Sequence, residues 1–565
     1  MNNTRIRVVT CSFTVLSMVL CIAMTTGCGK KAGQQRTWEF DVPSDYAFES
    51  QLISMNDDGN SSAALKKLPE DALWTATYAD PQPAQAPEYH QIAFDTEGNI
   101  VAVGSNTDMP KRPITGQLLV AKYSPQGQIL PGWPKFYSDP VYRWNEGQDI
   151  AIDEAGNMAI AGYSIVDGRS WIFSMWRLDS AGNMQPGWPQ YVASGQAHGT
   201  GIAIASNGDI VACGASSPGG LEQILVARYK PDGSPVEGWP KAYQPAAGQG
   251  SFSYDIMEDA DGNFMVVGYA GSVSSGRDAV IYKLDAAGNV LPGWPKVWDS
   301  GAGSYDEYFA VSQDADGDYC IVGTSHGVDE DNGRLLITRY SVDGEQIAGW
   351  PQVYDGDGVR NYSPPDAWRG SVDSLGNIAA SFIGQAAAPQ VLTVKYTPDA
   401  SPANGFPKTV SREGYLVGTR SCNVDAYDNI YAVGFSHVAD DEYTDHTTFI
   451  TKYPPAAYST GRPSLVTKVG LDYTKLLGFG ETLGPDNEGG IVYQLSPDGG
   501  DWYFHDGSAW IEVSSRGEAN TAEEVDENVD SFAKDAGAGT LYIKAFLVSD
   551  GSQPVQLDSV TVEYE

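Results

Sequence analysis

Short apolar runs, many alternating with polar residues, fill most of the chain and are broken by turns rich in Asp, Gly, Asn and Pro. Ile92-Ala93-Phe94, Ile100-Val101-Ala102-Val103 and Leu118-Leu119-Val120-Ala121 are three successive examples. Runs of this length between turn signals predict β-strands. The pattern then repeats. Each copy reads as apolar alternation, D-x-x-G-N, an apolar run ending in Gly, a variable loop, a run ending in Lys/Arg-Tyr, a D-G turn and P-G-W-P. The turn glycine recurs at Gly98, Gly156, Gly208, Gly262, Gly317 and Gly376, and a seventh copy has Asp428-Asn429 there. The glycine before the aromatic recurs at Gly132, Gly187, Gly238, Gly293, Gly349 and Gly405, followed by Trp five times and then by Phe406. The third copy carries Ala205 where the others carry the turn Asp.

D-x-x-G-N and P-D-G are tight hairpin turns in which Gly or Asn takes a positive φ. Each copy thus holds four antiparallel strand signals, with no helical period between them. Seven such copies predict an all-β fold, a seven-bladed β-propeller of four-stranded antiparallel blades over residues 73–455. The pattern resembles the bacterial β-propeller repeats built on a D-x-x-G-N-hydrophobic motif, a resemblance that implies a fold and little about function. The seventh copy ends at Tyr453-Pro454-Pro455 without a fourth strand. Trp74, Tyr78 and Asp80 match Trp133, Tyr137 and Asp139, so residues 73–80 are expected to supply it. That N-terminal strand would close the ring and hide two sheet edges.

The first residues read as an address. Arg5 and Arg7 precede an apolar run from Val8 to Met24, and Thr25-Thr26-Gly27-Cys28 follows. Residues 1–27 read as a signal peptide. The small residues before Cys28 resemble the lipobox of bacterial lipoproteins, with Thr25 departing from that pattern. The resemblance implies lipid attachment at Cys28, a tether over 28–36, export across the inner membrane and, from Gly29, an outer-membrane address. Cys213, Cys320 and Cys422 lie on apolar runs and read as buried thiols.

Residues 456–565 leave the repeat. Strand-like runs at 491–495, 510–513, 541–546 and 560–562 predict a C-terminal β-sandwich, loosely resembling small accessory modules of bacterial surface proteins. One helix is expected near 522–533, with Thr521 and Glu524 as a capping box. Trp38, Phe40, Tyr46, Phe48 and Leu52 alternate with polar residues, and residues 37–72 are expected to pair with this module. Ser496 to Trp502 resembles an Asp-box turn one residue short and reads as an aromatic-anchored hairpin.

Composition narrows the function. The chain has 565 residues, 35 Lys+Arg against 72 Asp+Glu, and a net charge of -37, which repels phosphate backbones and argues against nucleic acid as partner. Seven residues before each turn position stand Glu88, Glu146, His198, Phe252, Glu307, Asp366 and Gly418. With 72 acids in 565 residues, about one acid in seven is expected by chance, and four are present. A ring of carboxylates at a channel mouth would bind a cation through oxygen; calcium is the one cofactor it would admit. Tyr142, Trp144, Tyr305, Tyr362, Trp368 and Tyr415 crowd the inter-blade loops and suit sugar rings or a protein partner. His326 and His437 occupy matching positions before acidic loops, and read as surface-loop residues. Asp259 to Asn263 and Asp314 to Asp318 begin like calcium loops but have Ala270 and Ser325 where an EF-hand needs Glu, so they read as turns. No nucleophile, metal or phosphate motif is present. The reading is a non-catalytic binding or scaffolding lipoprotein of the bacterial envelope, recognising a protein or polysaccharide through the propeller loop face. The alternative is a polysaccharide-degrading propeller enzyme, a lyase or glycosidase, using the channel-mouth carboxylates.

Overall fold

The computed structural model describes residues 33–565 except 51, 56–61, 69–71, 83–84, 109–114, 167–169, 194–195, 245–249, 272–275, 302, 327–333, 355–368, 386–388, 404, 439–444 and 516. Cys28, its leader, and Tyr362, Asp366 and Trp368 lie outside the described residues, as do Asp329 to Asp331 and Asp440 to Glu442. The chain is nearly all β, in several antiparallel sheets. Among the described residues no helix is long and apolar enough to cross a membrane.

Residues 73–455 form seven consecutive four-stranded units. Their first strands are Gln85–Phe94, Trp144–Ile152, His198–Ile204, Ser251–Glu258, Tyr305–Gln313, Gly370–Val372 and Tyr415–Val424. Each first strand packs on the next, and the seventh packs on the first. In the seventh unit the outer strand is Trp74–Tyr78, paired antiparallel with Thr447–Tyr453 in the register Tyr78↔Thr448. Trp74 covers the Gly127 turn of unit one, as Trp133 covers the Gly182 turn of unit two. The Trp of G-W-P is therefore a wedge between neighbouring units. Lys135 beside it donates to the Ala181 carbonyl, and the Tyr137 hydroxyl donates to the Gly182 carbonyl at 2.7 Å.

One interaction recurs in every unit. The turn Asp between the first two strands bonds the Lys or Arg near the end of the third. The pairs are Asp95–Lys122 at 2.8 Å, Asp153–Arg177 at 2.9 Å, Asp259–Lys283 at 3.1 Å, Asp314–Arg339, Asp373–Lys395 at 2.7 Å and Asp425–Lys452 at 3.4 Å. The same carboxylate fixes its own turn: Asp95 Oδ1 accepts from the Glu97 amide at 3.0 Å and the Asn99 amide at 2.9 Å. Burial pushes the Asp95 carboxyl up, but Lys122 and Asn99 outweigh it and hold it below its ordinary value. Asp259 and Asp314 have this role, which accounts for their likeness to calcium-loop starts. Unit three has Ala205 at the turn position and keeps the pair by another route: Asp209, four residues on, bonds Arg228 Nε at 2.9 Å.

The seventh turn departs from Gly for a different reason. Asp428 holds φ 62°, a conformation that costs a non-glycine residue about 1 kcal/mol. Its carboxylate accepts from the Ser374 amide at 2.8 Å and its hydroxyl at 2.7 Å, and from the Thr460 hydroxyl. It thus ties units six and seven to the segment leading into the C-terminal module.

That module draws on both ends of the chain. Gln34–Glu39 and Leu476–Leu483 flank Gln556–Tyr564 in one sheet, and Tyr46–Phe48 pairs with Ser464–Thr467 in the other. The two share one buried cluster that includes Trp38, Tyr46, Tyr493, Phe532 and Val560. The helix Ala522–Asn528 has the Thr521/Glu524 capping box and turns Val525 inward. Cys213, Cys320 and Cys422 are buried free thiols, and burial pushes each up to about 12.

The compensation in unit three is testable. Asp209→Asn leaves Arg228 without its carboxylate and is expected to cost about 3 kcal/mol. Ala205→Asp together with Asp209→Asn restores D-x-x-G-N and should recover most of that loss, read from denaturation midpoints. A double variant no more stable than the single one would contradict the pairing.

Candidate functional site

The first strand of a unit carries an irregularity that decides which side chains face the centre. Its pairing with the second strand skips one residue: His90 in unit one, Gln148 in unit two, Thr200 in unit three, Tyr254 in unit four, Phe309 in unit five and Arg420 in unit seven. Each stands five residues before the turn position. A β-bulge leaves its extra residue unpaired and re-aims it. The bulge also explains the glycine four residues into the second strand of these six units, a place that Phe382 takes in unit six. A Cβ on Gly104, Gly162, Gly214, Gly268, Gly323 or Gly434 would overlap a carbonyl oxygen of the facing first strand, such as that of Glu88 or Glu146.

These six side chains line one central cavity of about 490 Å³. Glu88, Glu146, His198 and Phe252 of the column seven before the turn share it. Glu307 stands behind it, accepting from Arg277 and from the Tyr254 hydroxyl at 3.1 Å. Tyr163, Trp171, Glu222, Tyr269, Arg277 and Arg369 complete the wall. Arg369 spans the ring: it reaches Asp149 at 3.0 Å and Asp255 at 3.5 Å, and donates to the Thr200 carbonyl.

The carboxylates are held by protein groups. Arg420 bonds Glu88 Oε1 through Nε at 2.7 Å and through a second nitrogen. Burial would raise the Glu88 carboxyl, but Arg420, with His90 and His446 nearby, holds it below its ordinary value. Glu146 accepts from Trp144 Nε1 and Gln148 Nε2, both at 2.7 Å. His90 lies between the two, with Nδ1 3.5 Å from Glu146 and Nε2 4.0 Å from Glu88. Its Nε2 is buried with no hydrogen-bond partner. Among the described residues no three His, Cys, Asp or Glu side chains converge as metal ligands. The described carboxylates of the expected ring are interleaved with cations from three places: Arg420 in the column two residues on, Arg277 at the start of a third strand and Arg369 in unit six.

The aromatic wall is continuous. Trp171 stacks on His198 at 4.3 Å, Tyr163 lies 4.6 Å from Trp171, and Tyr254 meets Phe252 at 4.9 Å and Phe309 at 4.5 Å. Burial raises the Tyr163 and Tyr254 hydroxyls well above their ordinary value, so both stay protonated. Of the expected loop-face aromatics, the four that are described, Tyr142, Trp144, Tyr305 and Tyr415, do not line this cavity. Tyr142 packs on Tyr191 at 4.6 Å, and Tyr415 bonds Asp445 beneath Arg412. Trp144 reaches the cavity only through Glu146, and Tyr305 stands beside Arg277. His437 packs with Phe435 and His446, and His326 is buried.

No protein-family description matches the chain, and the comparison with curated proteins found no match. Solved structures similar in shape include a protein of unknown function from Dyadobacter fermentans, 12% identical, TM-score 0.38, covering 68% of this chain and 99% of that one. An ulvan lyase is 10% identical, TM-score 0.43, covering 69% and 95%. An α-L-arabinanase from Penicillium chrysogenum is 14% identical, TM-score 0.36, covering 68% and 98%.

Two cavity groups titrate in opposite senses. Burial, with Asp149 adding to it and Arg369 opposing, raises Asp255 from 3.8 to about 6. Burial lowers His198 from 6.5 to about 4. Asp255 therefore favours the fold at low pH and loses that contribution as pH rises through about 6, whereas His198 loses its contribution as pH falls towards about 4. Relative to the parent, Asp255→Asn should gain stability as pH rises from 4 to 6, and His198→Phe should lose it, read from denaturation midpoints. Parallel pH profiles for the two variants would contradict these environments.

Proposed function

We propose that the chain is a seven-bladed β-propeller carrying a β-sandwich module, and that its central cavity binds a saccharide at the bacterial envelope. The protein is anchored there through lipid on Cys28. The observation that carries this reading is the cavity itself: about 490 Å³, walled by Trp171, Tyr163, Phe252 and Tyr254, with paired charged groups at its rim and floor. Aromatic faces cover the apolar faces of sugar rings, while fixed carboxylates and guanidinium groups bond the hydroxyls at their edges.

A second reading, cleavage of the bound glycan, is favoured by His90, whose Nδ1 and Nε2 stand 3.5 Å from Glu146 and 4.0 Å from Glu88, with Nε2 making no hydrogen bond. An imidazole so oriented is suited to transfer a proton.

Titration calorimetry of the full chain in detergent against neutral, amino and uronic oligosaccharides tests both. Binding of at least one class, weakened at least tenfold by Trp171→Ala, is the expected result. Binding untouched by that change, or none at all, would contradict the saccharide site. Release of new reducing ends, abolished by His90→Gln while binding persists, would select the enzymatic reading.

A further inference from the structure

Among the described residues the charges around the cavity do not balance, and the excess is acidic. Arg420 is engaged by Glu88, and Arg277 by Glu307. Arg369 has two carboxylates, Asp149 and Asp255, for its single charge. Two further carboxylates line the wall beside neutral donors. Glu146 receives Trp144 and Gln148, and Glu222 receives the Tyr269 hydroxyl at 3.1 Å. An anionic ligand would meet these groups with every arginine already spoken for. The net charge of -37 on the whole chain opposes a polyanion from further away.

An independent observation concerns the kind of hydrogen bond that is missing. His90 is 7% exposed, and its Nε2 has no partner. A buried nitrogen left without a hydrogen bond carries an uncompensated desolvation cost. His90 Nδ1 stands 3.5 Å from Glu146 and Nε2 4.0 Å from Glu88. In the neutral tautomer that keeps its proton on Nδ1, Nε2 accepts from a donor such as an ammonium or hydroxyl group. Of the aromatic residues in the same wall, Tyr269 already carries Arg277 on its ring, and the faces of Trp171 and Tyr163 attract a cation through their π-systems.

We infer that the cavity selects a cationic amino sugar, a hexosamine with a free amine, over uronic or sulfated saccharides. This rests on the saccharide reading above and names its substrate class. The ammonium lies between Glu146 and Glu222, and a ring hydroxyl or the amine itself donates to His90 Nε2.

The test is titration calorimetry of the full chain at 150 mM salt with four probes: a glucosamine tetramer, an N-acetylglucosamine tetramer, a galacturonate tetramer and spermidine. The glucosamine tetramer is expected to bind at least tenfold tighter than its acetylated counterpart, with no binding of galacturonate. Glu222→Gln and Glu146→Gln should each remove most of that preference. Glu222 is only half-buried, so its variant keeps the test open should the other misfold. A preference that survives both substitutions would reflect the acidic surface at large and overturn the assignment. Tighter binding of galacturonate, or equal binding of the two hexosamine tetramers, would overturn the selectivity and leave the saccharide site standing. Binding of spermidine with no saccharide bound would overturn the saccharide reading itself, and with it this inference.

Discussion

Seven buried ion pairs hold the molecule in register. In each unit a carboxylate on the first hairpin both ties its own turn and bonds the cation that ends the third strand. It therefore clamps three of the four strands with one side chain. A buried charge without its partner is far more costly than either residue is beneficial, so the pair is a constraint on sequence as much as a source of stability. Unit three shows how strict it is: when the turn Asp is Ala205, the carboxylate reappears at Asp209 and reaches the same cation. Everything nearer the centre is positioned by this clamp.

The bulge is its counterpart on the inner strands. The turn clamp fixes the outer end of the first hairpin, and the skipped residue five positions before the turn aims its side chain inward. Repetition thus generates a ring of unlike residues: His90, Gln148, Thr200, Tyr254, Phe309 and Arg420. The scaffold positions repeat while this column varies freely, as expected where a rigid frame carries a site. Arg369, one residue further along in unit six, crosses to the units opposite and closes the floor.

The strand pattern was legible because every unit repeats the same turn chemistry, and repetition makes a weak local signal strong. The match of Trp74, Tyr78 and Asp80 to Trp133, Tyr137 and Asp139 located the strand that pairs with Thr447–Tyr453. The column seven before the turn was visible for its acids, and four of its members line the cavity. The column that dominates the cavity was missed because strict alternation puts no weight on a skipped residue. Its signal was present all the same: a glycine in six of the seven second strands, where a side chain would strike the bulged backbone. For the loop aromatics, composition does not say which rings pack on a neighbouring ring, as Tyr142 does on Tyr191.

The proposed saccharide cavity within the ring of bulged residues is tested most directly by a crystal structure of the chain grown with a glucosamine tetramer. The account predicts a sugar ring against Trp171, an amine between Glu146 and Glu222, and a donor on His90 Nε2. Sugar seated only on the outer loops or on the C-terminal module, with the cavity holding water alone, would contradict it.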